Sequence, residues 1–225
     1  LKDLEEQVNK KGAKLENISP MIRGQVIKIN DIDFTKHSVI NGDEKLKNDK
    51  NELKNSTINL SYRSKLKQSE EIVEGVEFSG VYDSKDFSKP IELSVEKRYA
   101  DRRGIKLGDH IVFDVLGLEI ETKVVNIRTV KWTEFVPNFF FILQEGAIND
   151  APKTILATIS SGDYDAQQML IKLSDLFPSL TVIDVKSLFE TFADLVKNVT
   201  KITDNMSIYS IVIGLLMSFI IIQYQ

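Results

Sequence analysis

The chain reads as an α+β body that ends in a single long helix running into a membrane, and three observations say so. From Ile72 to Val130 short strand-like segments dominate, with helix-forming stretches on either side. From Val185 onward one apolar face recurs at helical spacing, with no Pro and no Gly before Gly214. From Met206 to Ile222, 17 residues run without a charge, inside the roughly 17–25 that span a bilayer.

Composition narrows the chemistry. The 225 residues carry 29 Lys+Arg against 33 Asp+Glu, a formal net charge of −4, with two His and no Cys. Without cysteine there is no disulfide, no thiolate metal site and no cysteine nucleophile. His37 and His110 alone offer little for a His-based zinc site or a Ser-His relay. An acidic balance without a basic block argues against nucleic acid as a partner. The charges are also segregated, since none occurs from Met206 to Gln225.

Taken in order, Leu1, Leu4 and Val8 recur at helical spacing and Gly12 follows as a C-cap. Met21 to Ile29 alternates as a strand. Lys36 to Thr57, rich in Asn, Lys, Asp and Glu, reads as a surface excursion. Ile58 to Tyr62 returns as a short strand. Within the β-rich stretch, Glu92 to Val95 leads into a short helix, Glu96 to Arg103, ended by Gly104. Leu107-Gly108-Asp109 opens the strand His110 to Val115, Gly117 marks a hairpin, and Glu119 to Ile127 alternates as its second arm. Phe139 to Leu143 and Thr154 to Ile159 are apolar strands. Leu170, Leu173 and Leu176 mark an amphipathic helix closed by Pro178, and Leu180 to Ile183 reads as a buried strand.

Asp184 is a good N-cap for the final helix. The expected coupling stalk is carried by Asp184, Leu188, Phe189, Phe192, Leu195, Val196 and Val199, and the same face continues to Ile202. If the pattern is unbroken, one helix of about 38 residues and about 57 Å joins body to bilayer. The alternative is two helices broken at Thr203-Asp204-Asn205, where propensity is poor. Tyr209 and Tyr224 bracket the apolar run as interfacial aromatics do. Lys186 to Asp204 holds three Lys against three acids, so there is no basic excess to place the body on the cytosolic side.

Motifs for chemistry are mostly missing. No G-x-x-x-x-G-K-[ST] loop cradles ATP phosphates and no G-x-S-x-G elbow presents a nucleophile. The expectation is no cofactor, no metal and no catalytic residue. Ser160-Ser161-Gly162-Asp163 fits a loop and helix cap. The pairs Asp31/Asp33 and Asp163/Asp165 fit turns better than a calcium site of 6–8 oxygens. His110 is expected at a surface or strand edge. Phe139, Phe140 and Phe141 either line a hydrophobic groove or form a buried strand.

A series of blocks then gives the chain a relation. They are Asn59-Leu60-Ser61-Tyr62-Arg63, Ile72-Val73-Glu74-Gly75, Leu93-Ser94-Val95-Glu96 and Arg103-Gly104-Ile105-Lys106-Leu107-Gly108-Asp109. Arg128 to Trp132, Pro137 to Ile142, Glu145-Gly146-Ala147, Phe177-Pro178 and Ile183-Asp184-Val185 follow in order. In this series the chain resembles the FtsX/MacB-type ABC transporter permeases, most closely the large YbbP-like permeases, over their second periplasmic domain. The Lys/Asn-rich excursion departs from the pattern.

The resemblance implies a porter-like α/β domain made of residues 1–66 and 137–184, with a β-rich inserted domain at 67–136. A stalk helix at 185–205 and a transmembrane helix at 206–222 complete it. It also implies a piece of a longer protein, with a transmembrane helix and first strand before Leu1 and two or three helices after Gln225. The implied setting is a bacterial inner membrane with the body on the periplasmic side. The implied partners are a cytosolic ABC ATPase, as a dimer, the permease's other transmembrane segments, a lipid, lipoprotein or other hydrophobic substrate, and a periplasmic protein. The competing expectation is a membrane-tethered enzyme or sensor with a simple anchor. A gene that continues with further apolar segments beside an ATPase gene separates the two.

Overall fold

A computed structural model of the chain describes residues 2–10, 12–30, 32–33, 57–83, 89–132, 136–160 and 165–223. In chain order these form α1 (Lys2–Asn9), β1 (Lys14–Ile29), β2 (Ile32–Asp33), β3 (Ile58–Arg63), β4 (Glu70–Gly75) and β5 (Ile91–Glu96). Then come α2 (Lys97–Arg103), β6 (His110–Val115), β7 (Leu118–Val130), β8 (Phe141–Gln144), β9 (Thr154–Ser160), α3 (Ala166–Leu176) and α4 (Val185–Gln223). They fall into two compact units, Leu1–Ser160 and Ser161–Gln225. The expected mixed α+β class with a long apolar C-terminal helix is what the structure has.

In the first unit the strand pairings close on themselves. β1 pairs with β3, β3 with β8, β8 with β5, β5 with β7, β7 with β6, and β6 returns to β1. The β3–β8 and β5–β7 ladders are parallel and the rest of this ring is antiparallel. A closed ring leaves few bare edges. Alternation supplies its filling: on β6, Ile111, Phe113 and Val115 are buried while the residues between them are not. Ile22, Val26, Leu60, Leu93, Val95, Val124, Phe141 and Leu143 meet these three in one core, drawn from all six strands.

This core spans the stretches that the sequence sets apart. Residues 67–136 contribute β4, β5, β6 and β7, yet Val26 pairs with Phe113 and Leu93 with Leu143. Hydrogen bonds therefore cross both expected boundaries, and the interior is shared. The first half of β1 lies outside the ring, where it pairs with β9 from Lys14↔Ser160 to Met21↔Thr154. β1 is longer than its expected Met21 start because Asn17 takes a left-handed φ of 54° at a register shift and so absorbs the irregularity.

Local signals hold well in the β-rich part. The Glu96 side chain accepts from the Tyr99 N–H at 2.8 Å, and Gly104 closes α2 at φ 67°. Gly108 N–H donates to the Val124 carbonyl and Val124 N–H to that of Asp109, which ties the expected turn to β7. His110 is exposed at the start of β6, where its N–H donates to Asn30 Oδ1 at 2.9 Å.

In the second unit Asp165 caps α3 by accepting from the Gln167 N–H at 2.9 Å. The buried residues of α3 are Met169 and Leu173, whereas Leu176 is 49% exposed, so its apolar stripe runs one turn earlier than expected. The expected buried strand at 180–183 is absent. Those residues are irregular and Ile183 is 65% exposed; a short apolar run after Pro178 found no neighbouring strand to pair with. The excursion at 36–56, His37, Asp31, the 161–163 loop residues and Tyr224 lie outside the described residues.

Candidate functional site

The longest element carries the expected stalk. Asp184 caps α4, its Oδ1 accepting from the Ser187 N–H at 3.1 Å. The helix then continues for 39 residues, about 58 Å at 1.5 Å per residue. It does not break at Thr203-Asp204-Asn205. Hydroxyls that favour a break elsewhere are satisfied within the helix here. Thr200 donates to the Val196 carbonyl at 3.0 Å, Thr203 to Val199 at 3.1 Å, Ser207 to Thr203 at 3.0 Å and Ser210 to Met206 at 3.0 Å.

Every α4 residue whose side-chain burial is described is exposed. Across Leu188, Phe189, Phe192, Leu195, Val196 and Val199, exposure runs from 50% at Val196 to 64% at Phe192 and Val199. Its apolar face therefore faces outward, whereas an apolar face normally stabilises a helix by burial. Beyond Met206 the helix is long and apolar enough to cross a membrane.

The aromatic candidates lie elsewhere. Phe139 and Phe141 are 4% and 0% exposed, and Phe140 is half-buried against the core. Phe141 packs edge-on to Tyr99 and Phe113, with ring centres 4.9 and 5.1 Å apart, and Phe140 meets Tyr99 at 5.0 Å and Trp132 at 5.4 Å. Phe141 belongs to the barrel core, Phe140 packs against that core, and Phe139 is buried beside them in the chain.

A polar cluster that sequence reading missed sits within the barrel wall. Arg128 is fully buried. Its Nε donates to Glu70 Oε1 at 3.2 Å, its Nη1 to Ser94 Oγ at 3.0 Å and its Nη2 to the Phe139 carbonyl at 2.5 Å. The Ser94 hydroxyl in turn donates to Asn126 Oδ1. Arg63 donates to the same Glu70 oxygen at 2.5 Å, and the Lys67 N–H to Oε2 at 3.1 Å. The Lys67 ammonium reaches Ser19 Oγ at 2.8 Å and the Pro137 carbonyl at 3.1 Å. One carboxylate thus anchors the β3–β4 turn, and two cations hold the 137–139 segment by its carbonyls.

The electrostatics follow from this crowding. Burial pushes Arg128 down to about 10, against the pull of Glu70, so it stays charged near neutrality. Burial also lowers Arg63, again opposed by Glu70. Burial would raise Glu70, but Arg63 and Arg128 outweigh it and hold the carboxyl below its usual value. Lys67 is lowered to about 8 by burial first and by Arg63 second. The signal was present in the alternation: Thr122, Val124, Asn126 and Arg128 share the inward parity of β7. Among the described residues no three His, Asp or Glu side chains gather as a metal cluster.

The described residues thus combine a β-barrel body with a C-terminal helix that is long and apolar enough to cross a membrane. No family model matches the chain. It is similar to the uncharacterized ABC transporter permease YbbP of Escherichia coli (strain K12), at 28% identity over 175 residues. The match takes in 78% of this chain and 19% of that relative, so the chain spans about a fifth of the permease it resembles. The resemblance to the YbbP type of ABC permease, read from the ordered blocks, is borne out by this match.

Proposed function

We propose that the chain is the extracytoplasmic domain of an ABC transporter permease and that α4 couples it to a cytosolic ATPase. Residues 185–205 form the stalk and 206–222 the membrane span. The observation that carries this reading is α4 itself, unbroken from Val185 to Gln223 and exposed on the apolar face that a passive tether would not need. An intact helix transmits axial displacement, because bending it disrupts its i→i−4 bonds. ATP binding and hydrolysis in a dimeric partner move the membrane helices, and the stalk carries that motion to the barrel. The work moves or extracts a lipid, lipoprotein or other hydrophobic substrate on the periplasmic side, with a periplasmic protein as a further partner. The chain contributes no catalytic residue in this scheme.

Orientation and partnership are tested together. With no Cys in the sequence, a single cysteine at exposed Asp101, in a full-length protein with no other reactive thiol, reports which side the barrel occupies. Labelling by an impermeant maleimide in intact spheroplasts, with co-purification of an ABC ATPase, is the expected result. Labelling only after lysis, or purification without an ATPase, contradicts the reading.

A further inference from the structure

We propose that the tip of the β6–β7 hairpin docks a protein partner that offers an apolar pocket rimmed by Lys or Arg. Val115 pairs with Leu118, so the loop is the two residues Leu116 and Gly117. Both have positive φ, 55° and 86°, the signature of the primed turns whose twist matches the strands. Asn, Asp or Gly suits the first of these positions; Leu has no side-chain hydrogen bond to offset the left-handed backbone. Leu116 is nonetheless there, 69% exposed, with Leu118 beside it at 68%. A strained position that displays an apolar side chain to water gains nothing for the barrel.

The surrounding charge says what covers it. Asp114 and Glu119 stand directly opposite each other across the ladder, a like-charge pair that weakens the hairpin. Asp114 is held in place because its Oδ1 accepts the Gly117 N–H at 2.7 Å. Glu119 and Glu121 are exposed and form no ion pair among the described residues. Strain, exposed leucine and like charges thus coincide at one tip, each unfavourable for the isolated fold, and local conflict of this kind concentrates at functional surfaces. An anionic membrane surface repels this acidic rim, and a two-fold contact with a second copy sets the carboxylates against themselves. A basic-rimmed protein pocket satisfies both the leucines and the acids. The proposal stands whether or not α4 couples transport.

The test uses the full-length protein in its native membrane, with a photo-crosslinking residue at Leu118 and a control at Asp101. The expected result is a discrete protein adduct from 118 only, mapped to a peptide with Lys or Arg beside apolar residues. Leu116→Asn should cut the adduct by about tenfold while raising the thermal midpoint of the solubilised protein, because Asn tolerates the left-handed backbone. Glu119→Lys should also cut it severalfold. A purely structural tip would move stability and capture in the same direction, which overturns the proposal. So do adducts with lipid alone, adducts with a second copy, no adduct, or a yield unchanged in both variants.

Discussion

The barrel and α4 solve opposite problems. In the barrel, apolar residues from six strands cover one another, and even charge is internal: Arg128 and Glu70 are both buried and bonded. In α4 the apolar residues have the same character but face outward, and polar groups such as Thr200 and Thr203 are satisfied by the helix's own carbonyls. The difference teaches where each region's stability resides. Truncating a barrel side chain should be felt in folding. Truncating an α4 side chain should leave the body's folding alone and be felt in whatever α4 touches in the membrane assembly.

The largest contrast is expected between two phenylalanines. Phe141→Ala, at a fully buried site, should cost about 3–5 kcal/mol of unfolding free energy. Phe192→Ala, 64% exposed, should shift it by less than about 0.5 kcal/mol. Denaturant unfolding followed by the fluorescence of Trp132 measures both, and similar losses would erase the distinction.

A comparable contrast in charge should follow. Glu70→Gln leaves Arg128 charged and buried without its partner, which costs about 3–5 kcal/mol. Glu190→Gln removes only an exposed pair with Lys186, at 3.9 Å, and should change stability by at most about 0.5 kcal/mol. Equal effects would mean that the buried cluster is energetically idle.

The pH dependence sharpens the same point. Glu70 has a carboxyl lowered from the ordinary 4.5, so its contribution is present above that value and is lost as pH falls through the lowered one. Glu70→Gln should flatten the acid limb of the stability profile. Lys67 behaves in the reverse sense. Between about 8 and 10.5 the unfolded chain still holds a proton that the folded chain has released, so stability rises with pH across that window. Lys67→Met should abolish the rise relative to the unsubstituted protein, and an unchanged alkaline slope would show that Lys67 is not held in this environment.

Smaller still is the effect expected at the kink of β1. Asn17 holds φ 54° and its Nδ2 donates to Thr158 Oγ1 at 2.9 Å. Asn17→Ala loses both the tolerant side chain and the bond, for about 1 kcal/mol. No measurable loss in thermal unfolding would mean that the ladder to β9 is not pinned there.

Much of this architecture was legible because its signals are local. Glu96 and Gly104 cap a seven-residue helix where their types demand it, Gly117 turns a hairpin, and Asp184 starts a helix whose apolar period never lapses. The signals that misled were those whose meaning depends on distant chain. β1 read as starting only at Met21, because its extension back to Lys14 is a ladder to distant β9 that shifts register around Asn17. Phe139 to Phe141 read as groove or buried strand, and it is distant chain, Tyr99 and Phe113, that meets Phe141. The partnership of Arg128 was not legible, because nothing in its neighbourhood announces that Glu70, 58 positions earlier, lies beside it. The closure of the ring across residues 67–136 is likewise a matter of pairing between remote strands.

The central claim, that α4 transmits force, is tested most directly by stiffness at one exposed position. Val199→Pro removes an intrahelical hydrogen bond and clashes with the preceding turn, costing about 3 kcal/mol locally and kinking the helix. Val199→Leu keeps helix and apolar face alike. The measurement is transport per ATP hydrolysed by the full-length permease reconstituted with its ATPase, with circular dichroism reporting the fold. The account predicts that the proline variant stays folded and hydrolyses ATP but moves little substrate per turnover, and that the leucine variant matches the unsubstituted protein. Normal coupling through a kinked α4 would make the helix a tether and contradict the account.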